Sequence, residues 1–89
     1  MPHISQEELA KQLTEAGREV SVGGRYVHYK DPTKEYVVKS LGVLEATDEV
    51  AVIYEAQYGE KVSFIRPLAS FCELVLVDGV SVPRFRKVQ

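Results

Sequence analysis

Beyond Gly23-Gly24, every apolar segment of this 89-residue chain is short and ends at a turn, which limits the possible folds more than any other feature. Residues 25–30 alternate with a period of two, as a strand does. The Asp78-Gly79 pair between E-L-V-L-V and V-S-V-P predicts a hairpin. No helical crossover separates these runs, so the order favours antiparallel pairing. Further strands are predicted at about residues 35–44, 50–58 and 61–66.

The first part of the chain predicts one helix. Ser5 and Glu8 form an S-x-x-E capping box, and apolar residues follow at helical spacing. We expect Gly17 to end this helix in a left-handed cap. The predicted organisation is therefore a helical extension over residues 1–22 and a small β-barrel domain over residues 23–89.

Together these elements predict a mainly β fold, a small SH3-like antiparallel barrel or roll of about five to six strands with one N-terminal helix. Within it, Asp31 to Lys34 reads as the turn after the first strand. Gly42 predicts a bulge or bend in the second strand. The segment from Pro67 to Cys72 predicts a short helical turn, and Pro83 marks an edge strand or the end of sheet pairing.

Composition excludes several classes of protein. The formal net charge of −2 gives no general attraction to nucleic acid. The single cysteine, Cys72, excludes an internal disulfide and a thiolate metal cluster, and we expect it to be a buried or half-buried apolar group. No apolar run reaches the roughly 18 residues of a membrane span. We therefore expect a cytoplasmic protein with no membrane association, metal or cofactor.

Four motifs occur in register between Gly24 and Phe85: G-R-Y-V-H-Y-K, V-I-Y-E-A-Q-Y-G, F-I-R-P-L-A-S-F and V-D-G-V-S-V-P-R-F. They resemble a bacterial family of small domains of unknown function, the one numbered sixteen fifty-three. Phe64 stands where that family usually has tryptophan, Gln57 where it usually has leucine, and the D-P-T-K loop is longer. The resemblance implies a small β-roll resembling the SH3-type barrels, and it implies no activity.

The motifs also supply the candidate binding residues. Alternation places Tyr26, His28 and Lys30 on one face of the first strand, and Val27 on the other face indicates that the His28 face is the more open. Arg66 and Arg84 adjoin prolines at strand ends, where a guanidinium can bind a carboxylate or phosphate. The candidate ligand-binding residues are thus Tyr26, His28, Lys30, Arg66 and Arg84.

The alternative for the two arginines is a structural ion pair with Glu49, Glu55 or Glu73, and we give it more weight than anion capture. For His28, a structural hydrogen bond outweighs a metal role, because the chain has only two histidines.

The sequence shows no recognisable Ser-His-Asp or Cys-His arrangement, so we assign no catalytic residue and favour enzymatic activity less than binding. We predict a non-catalytic binding or interaction module for an anionic small molecule or a protein partner. Two alternatives stay open. Tyrosines interleaved with basic residues also suit a single-stranded nucleic acid, although the acidic total charge disfavours it. A small hydrolase or transferase acting on an anionic metabolite is the other.

Overall fold

The computed structural model describes residues 4–88. This part of the chain forms seven strands in two antiparallel sheets, an N-terminal helix and one short helix. The predicted mainly β fold with its N-terminal helix is confirmed, with seven strands instead of five or six and with no closed barrel among the described residues. The elements are α1 (Gln6–Glu19), β1 (Arg25–His28), β2 (Asp31–Leu44), β3 (Glu49–Ala56), β4 (Ser63–Pro67), α2 (Leu68–Phe71), β5 (Leu74–Val77), β6 (Val80–Pro83) and β7 (Phe85–Lys87).

The N-terminal helix α1 begins as its sequence predicts and ends later. The Ser5 hydroxyl accepts a hydrogen bond from the Glu8 backbone N–H at 3.1 Å. The helix then continues through Gly17 to Glu19, and the Val20 N–H donates to the Ala16 carbonyl at 2.9 Å. The prediction that Gly17 ends the helix is wrong. Ala16 and Val20 are each only 1% exposed, and burying both requires one more helical turn.

The main sheet has the strand order β4-β3-β2-β1-β7, so consecutive strands pair and the last strand returns beside the first. The predicted turn at Asp31 to Lys34 is wrong, because the chain reverses at Tyr29-Lys30, and His28 pairs with Asp31. Val27 then pairs with Glu35, which leaves residues 32–34 outside the register as a bulge. Asp31 accepts hydrogen bonds from the Thr33 N–H and hydroxyl, so its turn chemistry shapes the bulge.

The irregularity expected at Gly42 lies at Lys39. Val38 pairs with Tyr54 and Ser40 with Ile53, so Lys39 is the extra residue of a bulge. Gly42 pairs in register with Ala51, so the prediction of a bulge there is wrong. The extra residue shifts the alternation of β2, so that Val38 and Leu41 both face the core while Ser40 is exposed.

The C-terminal hairpin β5-β6 is confirmed and forms the second sheet. Its turn residues Asp78 and Gly79 have φ angles of 51° and 79°, the left-handed pair of a type I′ turn. The strand ends at Pro83 as expected, and Phe85 then enters the main sheet beside β1. The predicted helical turn after Pro67 is also present, as α2.

The core lies on one face of the main sheet. Val20, Val38 and Val52 are at most 1% exposed, and four aromatic rings surround them. The rings of Phe71 and Phe85 are stacked with centroids 4.3 Å apart. The four rings of the core are those of Tyr26, Tyr54, Phe71 and Phe85.

No helix within residues 4–88 is long and apolar enough to cross a membrane.

Candidate functional site

Every strand of the main sheet contributes at least one side chain to a single cavity of about 230 Å³. The register explains this convergence, because residues directly opposite each other on neighbouring strands share a face. Tyr54 is opposite Phe64, and His28 is opposite Phe85. The residues of this aromatic pocket are His28 (β1), Tyr36 (β2), Tyr54 (β3), Phe64 and Arg66 (β4), and Phe85 (β7).

Arg66 is the cation of the aromatic pocket and is half-buried. Its Nε donates to the Tyr54 hydroxyl at 3.3 Å, and its Nη1 donates to the Ser70 hydroxyl at 3.0 Å. The guanidinium carbon lies 5.5 Å from the centroid of the Phe85 ring. Within residues 4–88 no carboxylate lies within ion-pair distance of Arg66. A guanidinium has five N–H groups, so donors remain for an anion.

His28 lines the same pocket as a neutral imidazole. The Lys30 backbone N–H donates to Nδ1 at 3.2 Å, which leaves the ring proton on Nε2. Burial lowers the pKa of His28 below its usual 6.5, and the positive charges of Arg66, Arg84 and Lys30 lower it further. The ring is held edge-on against Phe85, with centroids 5.0 Å apart. His28 therefore offers a neutral N–H donor beside a guanidinium.

The two tyrosines of the pocket add hydroxyl groups. The Tyr36 hydroxyl lies 2.7 Å from that of Tyr58. Burial, followed by this hydrogen bond, raises the pKa of Tyr36 to about 12. Tyr36 therefore stays protonated at neutral pH and adds no negative charge to the pocket.

Arg84 forms the structural ion pair that the sequence predicted as the alternative to an anion-binding role. Its Nη2 donates to the Glu73 carboxylate at 2.7 Å, and its Nε donates to the Ser70 carbonyl at 3.1 Å. Arg84 does not line the aromatic pocket. The two arginines meet at Ser70, one on its hydroxyl and one on its carbonyl. Arg84 thus supports the strand-to-hairpin connection and acts on His28 only through its charge.

The other two candidate residues lie outside the aromatic pocket. Tyr26 is 6% exposed, and its hydroxyl accepts the Ser21 N–H at 3.0 Å, so it is a core residue. Lys30 is exposed in the β1-β2 turn and contributes charge near His28.

At His28 and Val27 the His28 face of β1 is the more open, since Val27 is only 4% exposed and His28 is half-buried. Tyr26, also on the His28 face, is only 6% exposed, so this openness is confined to the His28 end of the strand. On the opposite face, Val27 faces the hairpin residues Val77 and Val82. An apolar cleft of about 300 Å³ separates the hairpin from β1.

Known proteins place the chain in a family. The family model described as "Protein of unknown function (DUF1653)" matches residues 24–87. The chain belongs to the DUF1653 family. A crystal structure of a DUF1653 protein from Bordetella bronchiseptica is similar, with a TM-score of 0.64 and 32% identity over 74% of this chain and 85% of that chain. None of the curated proteins matches.

All six residues of the aromatic pocket fall within the DUF1653 match. Four of them were absent from the sequence-based candidates: Tyr36, Tyr54, Phe64 and Phe85. Tyr36 and Tyr54 each have the same strand parity as a core residue, Val38 or Val52. Phe64 and Phe85 lie within two of the four motifs. Locating them required the register between strands, which a single sequence does not supply.

The exposure of the single cysteine of this DUF1653 chain differs from the prediction. Cys72 follows α2 and is exposed, so the prediction of a buried or half-buried group is wrong. Desolvation, and then the charge of Glu19, raises the pKa of its thiol. A raised pKa makes the thiol a poorer nucleophile at neutral pH. Within residues 4–88, no three histidine, cysteine or acidic side chains come together as a metal site would require.

Proposed function

We propose that this DUF1653 chain is a non-catalytic binding module whose aromatic pocket takes a small anion, a carboxylate or a phosphate. The observation that carries the proposal is Arg66. It is half-buried, held in place by two neutral hydroxyl groups, and has no carboxylate partner within residues 4–88. A partly buried charge without a counter-charge is costly, and an incoming anion removes that cost.

The surrounding groups support the same assignment. Neutral His28 supplies an N–H donor from Nε2, and the hydroxyl of Tyr36 is protonated. The aromatic walls lower the local dielectric and strengthen a hydrogen bond between Arg66 and an anion. Of the five sequence-based candidates, His28 and Arg66 form the proposed site, while Arg84 and Lys30 add positive charge around it.

The domain that carries this site is proposed to be residues 23–89, with residues 1–22 as its helical extension. We also propose that the module works in the cytoplasm, which suits a chain whose single cysteine forms no internal disulfide.

A thermal-shift and calorimetric titration with inorganic phosphate, acetate and benzoate tests the binding. A ligand at about 100 times its dissociation constant adds about 2.7 kcal/mol to the free energy of unfolding. We expect at least one of the three anions to stabilise the wild type and Arg84→Gln but not Arg66→Gln. Arg84→Gln is the matched control, because it removes the same charge outside the pocket. Equal stabilisation of all three proteins, or of none, contradicts the proposal.

A further inference from the structure

The two outer strands of the main sheet protect their edges differently. Within the described residues, β7 pairs only with β1, and β4 pairs only with β3. β7 is three residues long and carries Arg86 and Lys87, which is how proteins usually block edge pairing. The β4 edge carries exposed apolar side chains, with Val62, just before the strand, 50%, Phe64 41% and Ile65 63% exposed. Ser63 and Arg66 are its polar residues, and the strand ends at Pro67.

The hydrogen-bond pattern shows which backbone groups of β4 face outward. The Ala56 N–H donates to the Val62 carbonyl, so that pair is hydrogen-bonded across β3 and β4. Antiparallel pairs alternate, so Phe64 and Arg66 also direct their backbone groups toward β3. Ser63 and Ile65 direct theirs away from the sheet. β4 therefore presents an outward N–H and C=O at alternate residues, as a template for another strand requires.

We propose that β4 accepts an extended apolar peptide as a sixth strand, with the C-terminal carboxylate of that peptide bound by Arg66. This inference rests on the proposed function and names its ligand as the end of a protein chain. Backbone pairing supplies affinity in such complexes, and side-chain pockets supply specificity. The aromatic pocket lies next to β4, since Phe64 and Arg66 belong to both.

Charge complementarity selects this partner over a second copy of the chain. Residues 61–66 contain the cations Lys61 and Arg66 and no acidic residue. Two such edges placed side by side bring like charges together, whereas a terminal carboxylate provides the opposite charge. The edge also ends at Pro67, and α2 follows at once. A strand lying parallel to β4 has to stop near Arg66, which is where a chain terminus fits.

Fluorescence anisotropy tests the proposal with a pool of labelled hexapeptides of β-branched and apolar residues, made with a free C-terminal carboxylate or with an amide. We expect the free acids to bind at least about tenfold more tightly than the amides, because a hydrogen bond to a charged group is lost in the amide. In Arg66→Gln this preference disappears. Equal binding of acids and amides by the wild type overturns the carboxylate part of the proposal.

Ile65→Pro tests the edge pairing. It removes an outward N–H while leaving the hydrogen bonds to β3, and we expect it to abolish peptide binding without a large change in melting temperature. Peptides methylated at alternate backbone amide nitrogens test the same point with the wild-type protein. Methylation of the set of amides that faces β4 should prevent binding, and methylation of the alternate set, which faces away, should not. Binding that tolerates methylation of either set overturns strand addition.

The remaining outcomes separate this inference from the proposed function. If acetate or benzoate binds at Arg66 but no free-acid peptide binds, the inference fails and the proposed function stands. If neither small anions nor peptides bind, both fail. If the wild type instead forms a dimer in sedimentation experiments that Ile65→Pro abolishes, the occupant of β4 is a second copy and the inference is wrong.

Discussion

The guanidinium of Arg66 lies over the ring of Phe85, with its carbon 5.5 Å from the ring centroid. Arg66 is on β4 and Phe85 on β7, the two outer strands of the main sheet. Their contact shows that the sheet curls until its edges approach each other across the concave face. The curl creates the aromatic pocket and places a cation inside it.

The two arginines should couple differently to Glu73. A double-mutant cycle with Arg84→Gln and Glu73→Gln is expected to give a coupling energy of about 0.5 kcal/mol, because the Glu73 side chain is 55% exposed and the pair is screened by solvent. The same cycle with Arg66→Gln is the control and should give about zero. Urea denaturation of the four proteins in each cycle measures both values. Coupling of Glu73 to Arg66 as strong as to Arg84 would refute the assigned pairing.

The pKa of His28 should rise when Arg66 is removed. After burial, the positive charge of Arg66 is the largest cause of the lowered pKa, followed by that of Arg84. NMR titration of the His28 ring is expected to show a higher pKa in Arg66→Gln than in the wild type, and a smaller rise in Arg84→Gln. An unchanged pKa in Arg66→Gln would place Arg66 away from the imidazole.

The same shift makes a prediction for stability. Because the folded protein holds the pKa of His28 below the unfolded value of 6.5, the unfolded chain binds the proton first. Stability from neutral His28 is therefore present above pH 6.5 and is lost as the pH falls from there toward the folded pKa. His28→Gln should lose less unfolding free energy over that range than the wild type, measured by denaturation at each pH.

The hydroxyl of Tyr26 should contribute to stability and not to binding. Tyr26→Phe removes the acceptor of the Ser21 N–H in a partly buried place and should cost about 1 kcal/mol of unfolding free energy. Tyr29→Phe is the control, because the Tyr29 hydroxyl makes no hydrogen bond within residues 4–88, and it should cost close to zero. Both variants should bind anions as the wild type does. A loss of binding in Tyr26→Phe would return Tyr26 to the site.

Two glycines should respond to alanine with opposite signs. Gly79 has a φ of 79° in the hairpin turn, so Gly79→Ala should destabilise the protein by about 1 kcal/mol. Gly17 lies inside α1 with open space beyond its Cα, so Gly17→Ala should stabilise by about 0.5–1 kcal/mol. Thermal or urea denaturation measures both. Destabilisation by Gly17→Ala would mean that the helix ends there after all.

The sequence predicted those elements whose signal is local. The Ser5 cap and the Asp78-Gly79 turn depend on residues within three positions of each other, and both are present. The helix end predicted at Gly17 and the bulge predicted at Gly42 were wrong, because burial in the tertiary structure determines where α1 ends and where β2 has its bulge. His28 and Arg66 were identified because they are polar side chains able to bind a ligand and lie within the four motifs. Their aromatic neighbours were missed, since pairing register joins residues that are far apart in the chain.

The central claim is that Arg66 binds an anion in the aromatic pocket, and NMR of the guanidinium tests it most directly. The Nε–H signals of Arg66 and Arg84 are followed in one isotope-labelled sample during titrations with benzoate and with inorganic phosphate. We predict a saturable shift of the Arg66 signal together with the His28 ring signals for at least one of the two anions, and a rise in the pKa of His28 as the anion offsets the nearby positive charge. The Arg84 signal should stay near its starting position. Unsaturable shifts of equal size at both arginines would contradict the account.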